Sequence, residues 1–249
     1  MSMRQILGAI KEADNEYNLI EDGDNIIVGI SGGKDSIVLA YALKLYKFFS
    51  KKDYNFICVH INSGFDNENL DETRKFLESE GITYKSVDSD PLIYEVLKLN
   101  KTPKGLLPCS ICSRMRKAAV NKAAHEFNCN KVAFAHHADD AIETLFMNMI
   151  KGGRIATFEP KMFLSNERIT FIRPLILARE KQIKHTVIEK SLPIEKGYCP
   201  NDKQTNREDT RELLREIYHK YPEARENFLT MLKNKEQFKI FERMKENDE

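Results

Sequence analysis

The run at 25–30 is apolar, rich in β-branched residues, and ends in glycines. A short run of this kind, bounded by turn residues, fits a strand buried on both faces of a parallel sheet. Further strands are expected at 56–61, 83–87, 131–136 and 169–172. The intervening segments 37–49, 70–80, 110–127 and 138–150 read as helices, and a short amphipathic helix is expected at 4–17. Three more helices are expected at 179–190, 207–219 and 222–245. Strands alternating with helices predict an α/β fold: a doubly wound parallel sheet of about five strands with N- and C-terminal helices. No linker or internal repeat divides the chain. Residues 1–249 are read as one domain, with an N-terminal helix within 1–24 and a helical appendage over 195–249. Sheets of this type bind ligands at the carboxyl ends of their strands, so the loops after each strand are where chemistry is sought.

Composition narrows the setting. The 249 residues include 31% charged side chains with a net charge of +1. That balance neither demands nor excludes nucleic acid, because local patches matter more than the sum. No stretch approaches the ~20 apolar residues of a membrane span, and the N-terminus lacks the apolar core of a secretory leader. A cytoplasmic protein is expected. Five cysteines, an odd number, argue against a disulfide framework and direct attention to metal or redox chemistry.

The first strand runs into Ser31-Gly32-Gly33-Lys34-Asp35-Ser36. The glycines permit tight backbone geometry and close ligand approach. Amides at the start of the next helix face an anion, where the helix dipole favours negative charge. Ser31 and Ser36 offer hydroxyl donors, Lys34 offers charge to phosphate, and Asp35 can hold Mg²⁺. The spacing differs from that of Gly-x-x-x-x-Gly-Lys-Ser/Thr, so this is another kind of phosphate loop. A second cluster, His136, His137, Asp139, Asp140, Glu143 and Thr144, follows a strand and opens a helix. Asp140 can join Asp35 at Mg²⁺, and Glu143 shares its helical face. Asp139 is expected to cap the helix.

Cys109 and Cys112 open the 110–127 helix, where the dipole favours thiolate. Two cysteines three apart can chelate one metal centre. Structural zinc and a redox or persulfide pair are the alternatives, although no second Cys-x-x-Cys or Cys-x-x-His is present to close a zinc site. Cys58 falls in a core strand and Cys129 in a turn, where both are expected to be structural. Residues 101–122 carry six basic residues and no acidic one. Arg114, Arg116 and Lys117 lie on the helix that begins with the cysteines, and Arg154 follows the next helix. A basic stripe beside a reactive centre suits an RNA backbone; the alternative is a solvated helix face.

Taken together, these motifs resemble a known family. Residues 31–36 match the Ser-Gly-Gly-x-Asp-Ser motif of the N-type ATP pyrophosphatases, the PP-loop enzymes. Residues 135–144 match their second motif, with Ala135 where glycine is usual. Pro108-Cys109-Ser-Ile-Cys112-Ser-Arg114-Met-Arg116 is similar to the Pro-Cys-x-x-Cys-x-Arg-x-Arg pattern of the TtcA branch, the tRNA cytidine 2-thiolation enzymes. The resemblance spans residues 20 to 235 and implies ATP and Mg²⁺. It also implies a 4Fe-4S cluster on Cys109, Cys112 and Cys199, the last lying where the family has its final cluster ligand. It places His60, Ile61 and His136 beside ATP. Lys34, Asp35, Arg116 and Asp140 take the catalytic roles, and tRNA is contacted by Arg114, Arg116, Lys117 and Arg154. The implied partners are tRNA and a sulfur donor, either sulfide or a cysteine-desulfurase relay, with a homodimer allowed. The implied reaction adenylates an anticodon-loop cytidine, position 32 in the family, and replaces its C2 oxygen by sulfur. The alternatives are a lysidine-synthetase-like ligase, thiolation of another base or a small molecule, and a non-catalytic iron-sulfur carrier or nucleotide sensor.

Overall fold

The computed structural model describes residues 2–62, 64, 69–89, 92–102, 105, 107–195, 206–234 and 236. The elements run α1 (Ser2–Tyr17), β1 (Asn25–Ile30), α2 (Lys34–Ser50), β2 (Asn55–Asn62), α3 (Asp71–Ser79), β3 (Tyr84–Asp88), α4 (Leu92–Leu99) and α5 (Cys109–Glu126). They continue with β4 (Lys131–Ala133), α6 (Ala138–Gly152), β5 (Lys161–Leu164), β6 (Ile169–Ile172), α7 (Glu180–Lys190), α8 (Asn206–Lys220) and α9 (Ala224–Lys233). The strands form one sheet in the order β3-β2-β1-β4-β6-β5. Its first five members are parallel, and β5 adds an antiparallel edge through the pairs Lys161 with Ile172 and Leu164 with Ile169. The expected five parallel strands are all present. The sixth is a correction, as is the end of β4, which stops at Ala133 rather than running to His136.

Alternation along β1 shows why the run is apolar throughout. Ile26, Val28 and Ile30 face a core built with α1, α2 and α7. Ile27 faces the opposite layer, against Val59, Val132 and Phe171 and the underside of α5 at Val120, Ala123 and Ala124. Successive strand residues point to opposite faces, so a strand covered on both sides needs both sets apolar. Burying each of the valine, isoleucine and phenylalanine side chains among these contributes about 1.5–3 kcal/mol. On the buried face of α1, the Asp14 carboxylate accepts from Tyr46 Oη at 2.7 Å, Lys52 Nζ at 2.6 Å and the Ile20 amide at 2.9 Å. A buried charge with that many partners fixes α1 against α2 without an unsatisfied oxygen. No helix among the described residues is long and apolar enough to cross a membrane.

Candidate active site

The site lies at the carboxyl ends of β1, β2, β4 and β6. Chain direction reverses its side of β1 at this edge: β2 lies on one side and β4 on the other. A crevice opens where strand order switches in this way. Here it is a cavity of about 790 Å³.

The phosphate loop forms its floor. Gly32 adopts φ +75°, a conformation that favours glycine, and a Cβ there would also displace the end of the Leu70 side chain. Gly33 caps α2 in an extended conformation without a side-chain cap, leaving the first amides of α2 directed at the loop. Two serines brace the turn. Ser36 Oγ accepts from the Ser31 amide at 3.2 Å and donates to Gly33 O at 2.9 Å, and the two hydroxyls are 3.3 Å apart. Ser31, Gly33, Asp35 and Ser36 line the cavity. The Lys34 ammonium turns instead to Asp35 Oδ2 at 3.0 Å and Glu180 Oε1 at 3.2 Å, tying the loop to the start of α7. Burial works against the Lys34 charge, but these two carboxylates outweigh it and raise its pKa. Burial likewise pushes Glu180 up, and the hydrogen bonds and charges of Lys184 and Lys34 overcome it to hold Glu180 at about 2.

The acidic motif forms one wall. His137 rather than Asp139 caps α6: its Nδ1 accepts from the Asp140 amide at 3.3 Å, while Asp140 Oδ2 accepts from the His137 amide at 3.1 Å. Asp139 instead accepts from the Glu180 amide at 2.7 Å, joining α6 to α7. An accepting Nδ1 leaves the proton on His137 Nε2. That nitrogen faces Asp140 Oδ2 at 3.5 Å and Asp35 Oδ1 at 3.7 Å. The phosphate loop and the acidic motif therefore meet at one imidazole. Asp35 Oδ1 is buried and has no hydrogen-bond partner among the described residues. An orphan carboxylate oxygen beside a second carboxylate fits a hard cation such as Mg²⁺.

His60, buried at the end of β2, holds its Nδ1 3.0 Å from Ile30 O and lines the cavity with Ile61. His136 packs against Phe158, with ring centroids 4.8 Å apart, and burial lowers its pKa to about 4, so it is neutral at pH 7. Across from the phosphate loop, the first turns of α5 bring Cys109, Cys112, Arg116 and Lys117 to the same cavity. Cys109 is exposed and Cys112 half-buried, whereas Cys58 and Cys129 are buried and their thiols are pushed up by desolvation. Two thiols one turn apart at a helix N-terminus, opening on a shared cavity, fit as two ligands of a metal centre. Cys199 lies outside the described residues. Arg114 and Arg154 are exposed and stand outside the cavity lining.

Three arginines that no sequence motif marks complete the site. Arg207, on α8, approaches Asp140 Oδ1 at 3.4 Å and donates to Thr144 Oγ1 at 3.2 Å. One turn on, Arg211 Nε donates to Glu143 Oε1 at 2.7 Å. Burial raises the Glu143 pKa against the pull of Arg211. Arg173 follows β6 and also lines the cavity. A basic residue every four positions on an exposed-looking helix carries no signal that it faces inward, and no motif marked Arg173.

Comparison with known proteins agrees with this geometry. A family model described as a PP-loop domain matches residues 3–217. The tRNA-cytidine(32) 2-sulfurtransferase of Erwinia tasmaniensis is 34% identical over 229 residues, covering 90% of this chain and 72% of the relative. The protein of the same name from Dechloromonas aromatica is 32% identical over 228 residues, covering 91% and 78%. Among solved structures, the U34-tRNA thiolase NcsA from Methanococcus maripaludis, solved with its 4Fe-4S cluster, has a similar fold. The TM-score is 0.74 at 21% identity, over 93% of this chain and 78% of that one. The chain belongs to the PP-loop family, in the branch of the tRNA-cytidine(32) 2-sulfurtransferases.

Proposed function

We propose that this protein is a cytoplasmic ATP-dependent tRNA thiolase that converts a cytidine of the anticodon loop, position 32, to 2-thiocytidine. One observation carries the reading: the phosphate loop, the paired cysteines and the basic start of α5 open on a single cavity. An enzyme using ATP alone has no use for exposed thiols there, and a cysteine redox protein has no use for the loop.

ATP is a substrate. Its pyrophosphate end lies against the α2 amides, with Ser31 and Ser36 donating. Asp35 and Asp140 would hold Mg²⁺, which neutralises phosphate charge. His60, Ile61 and His136 form the wall beside the nucleotide. Arg114, Arg116, Lys117 and Arg154 would hold the RNA backbone, and Arg116, which lines the cavity, would also stabilise the activated intermediate. The cytidine O2 attacks the α-phosphorus, the bond to the bridging oxygen breaks, and pyrophosphate leaves with the electron pair. Oxygen bound as AMP is a better leaving group than oxygen alone, so sulfur can then replace it at C2. A 4Fe-4S cluster held by Cys109, Cys112 and Cys199 would supply the sulfur, replenished by sulfide or a desulfurase relay. The chain's own contribution is positioning and charge stabilisation.

Mass spectrometry of tRNA nucleosides from cells with and without the gene tests the reading. Loss of 2-thiocytidine on deletion is expected. Unchanged 2-thiocytidine, or loss of lysidine instead, overturns it.

A further inference from the structure

Of the three arginines that no motif marked, Arg173 alone forms no ion pair among the described residues. Arg207 and Arg211 are engaged by Asp140 and Glu143. Arg173 is only 4% exposed, yet its guanidinium makes no ion pair, and its Nε is buried with no hydrogen-bond partner. Its backbone is locked by a bond from its amide to Pro160 O at 2.9 Å. Its Nη1 donates to Glu159 O, and its Cζ lies 4.8 Å from the Phe158 ring centre. Burial lowers its pKa to about 10, weakly opposed by Glu159, which leaves it charged at pH 7. A buried cation with an unmet donor is costly. Folding gives it no ion pair, only the more distant charge of Glu159, and it faces a cavity. Both facts point to an anionic ligand.

Its position says which anion. Strand order places β6 two positions from β1, roughly 10 Å along the sheet edge. The phosphate loop after β1 suits pyrophosphate, whereas Phe158, which carries the Arg173 guanidinium, also packs on His136 of the wall beside the nucleotide, so Arg173 adjoins the side that takes the AMP portion of ATP. Resting on the adenylation chemistry proposed above, we propose that Arg173 contacts the α-phosphoryl group that becomes AMP. When the O2–phosphorus bond forms, that group becomes a singly charged diester of the base. When sulfide-level sulfur attacks C2, the C2–O bond breaks and its electron pair departs on the phosphate oxygen. AMP thereby gains a second negative charge. A desolvated guanidinium set beside that oxygen favours the change, because its stabilisation grows as the charge develops. Phe158 and the Glu159 carbonyl hold the guanidinium in one orientation, so little reorganisation is needed.

The test compares AMP with adenosine by calorimetric titration of the full-length protein, prepared anaerobically, for the wild type and Arg173→Met. Adenosine is the internal control, because a disturbed pocket would weaken both ligands. The wild type should prefer AMP, and the variant should lose at least about tenfold of AMP affinity while adenosine stays within about twofold. Unchanged AMP binding, an equal loss for both ligands, or no AMP preference in the wild type overturns the assignment. If Arg173→Met does not fold, Arg173→Gln, which can still donate to the Glu159 carbonyl, is judged by the same ratio. The titration contains no tRNA. A protein that fails to thiolate tRNA but shows the AMP-specific loss refutes the proposed function and leaves Arg173 at the phosphate.

Discussion

Asp35 binds together three parts of the site, since one carboxylate oxygen takes the Lys34 ammonium and the other faces His137 without a hydrogen bond. Asp35→Asn should reduce pyrophosphate release by ~10²-fold or more at saturating ATP. Its melting temperature should stay within about 4 °C of the wild type, because Lys34 keeps Glu180. Near-normal turnover would remove Asp35 from the metal role. Glu180 offers a pH test. Its folded pKa is depressed to about 2 from the usual 4.5, so its contribution is full above pH 4.5 and is lost as the pH falls toward 2. Glu180→Gln should therefore cost about 1–2 kcal/mol at pH 7 after allowance for solvent screening, with the gap closing in acid. Chemical denaturation at pH 7 and pH 3 measures both; a gap that is constant with pH would contradict the Lys34–Glu180 tie. The motif residues were legible in the sequence because chemistry fixes their spacing. Arg173 and Phe158 were not, because a lone buried arginine acquires meaning from what surrounds it.

The helices and strands show where periodicity succeeds and fails. β1, β2 and β6 were readable because burial on two faces leaves an apolar run. β5 was not: Lys161–Leu164 is four residues long, lies at an edge and pairs with one neighbour. The eight residues of α4, with a nearly continuous apolar stretch, fit a strand or a helix equally well in sequence. β4 ended early because the segment after Ala133 turns to build the site, and His137 caps α6. The docking of α8 was also hidden. Two arginines one turn apart meet Asp140, Thr144 and Glu143 of α6, and α8 becomes part of the active-site wall. Arg211→Ala should destabilise the protein by about 1–3 kcal/mol by leaving the buried Glu143 carboxylate only the longer contact to Arg207 Nε at 3.8 Å. Glu143→Gln in the same chain should recover part of that loss. Additive losses in a double-mutant cycle would show that the pair is not coupled. At α5, the paired thiols predict that anaerobic reconstitution loads iron and sulfide, and that Cys109→Ser or Cys112→Ser abolishes loading. Stoichiometric zinc in place of iron would contradict this.

At the scale of the molecule, the sheet explains why distant segments of sequence form one site. Parallel strands all end on the same edge, so loops near residues 31, 60, 136 and 173 converge there. α5 on one face and α8, packed on α6, then close the cavity with thiols and arginines. The sequence disclosed the sheet and its active edge, because strand–helix alternation admits few topologies. It could not disclose which helix faces the cavity with which side, since that follows from packing. In the proposed function, one cavity activates a base with ATP and exchanges its oxygen for sulfur. The most direct test is a single-turnover reaction of anaerobically reconstituted protein with labelled ATP, sulfide and unmodified tRNA, with products resolved by mass spectrometry. The expected products are 2-thiocytidine at position 32 and equal amounts of AMP and pyrophosphate. Pyrophosphate release with no sulfur entering the tRNA, or 2-thiocytidine formed without ATP, would contradict it.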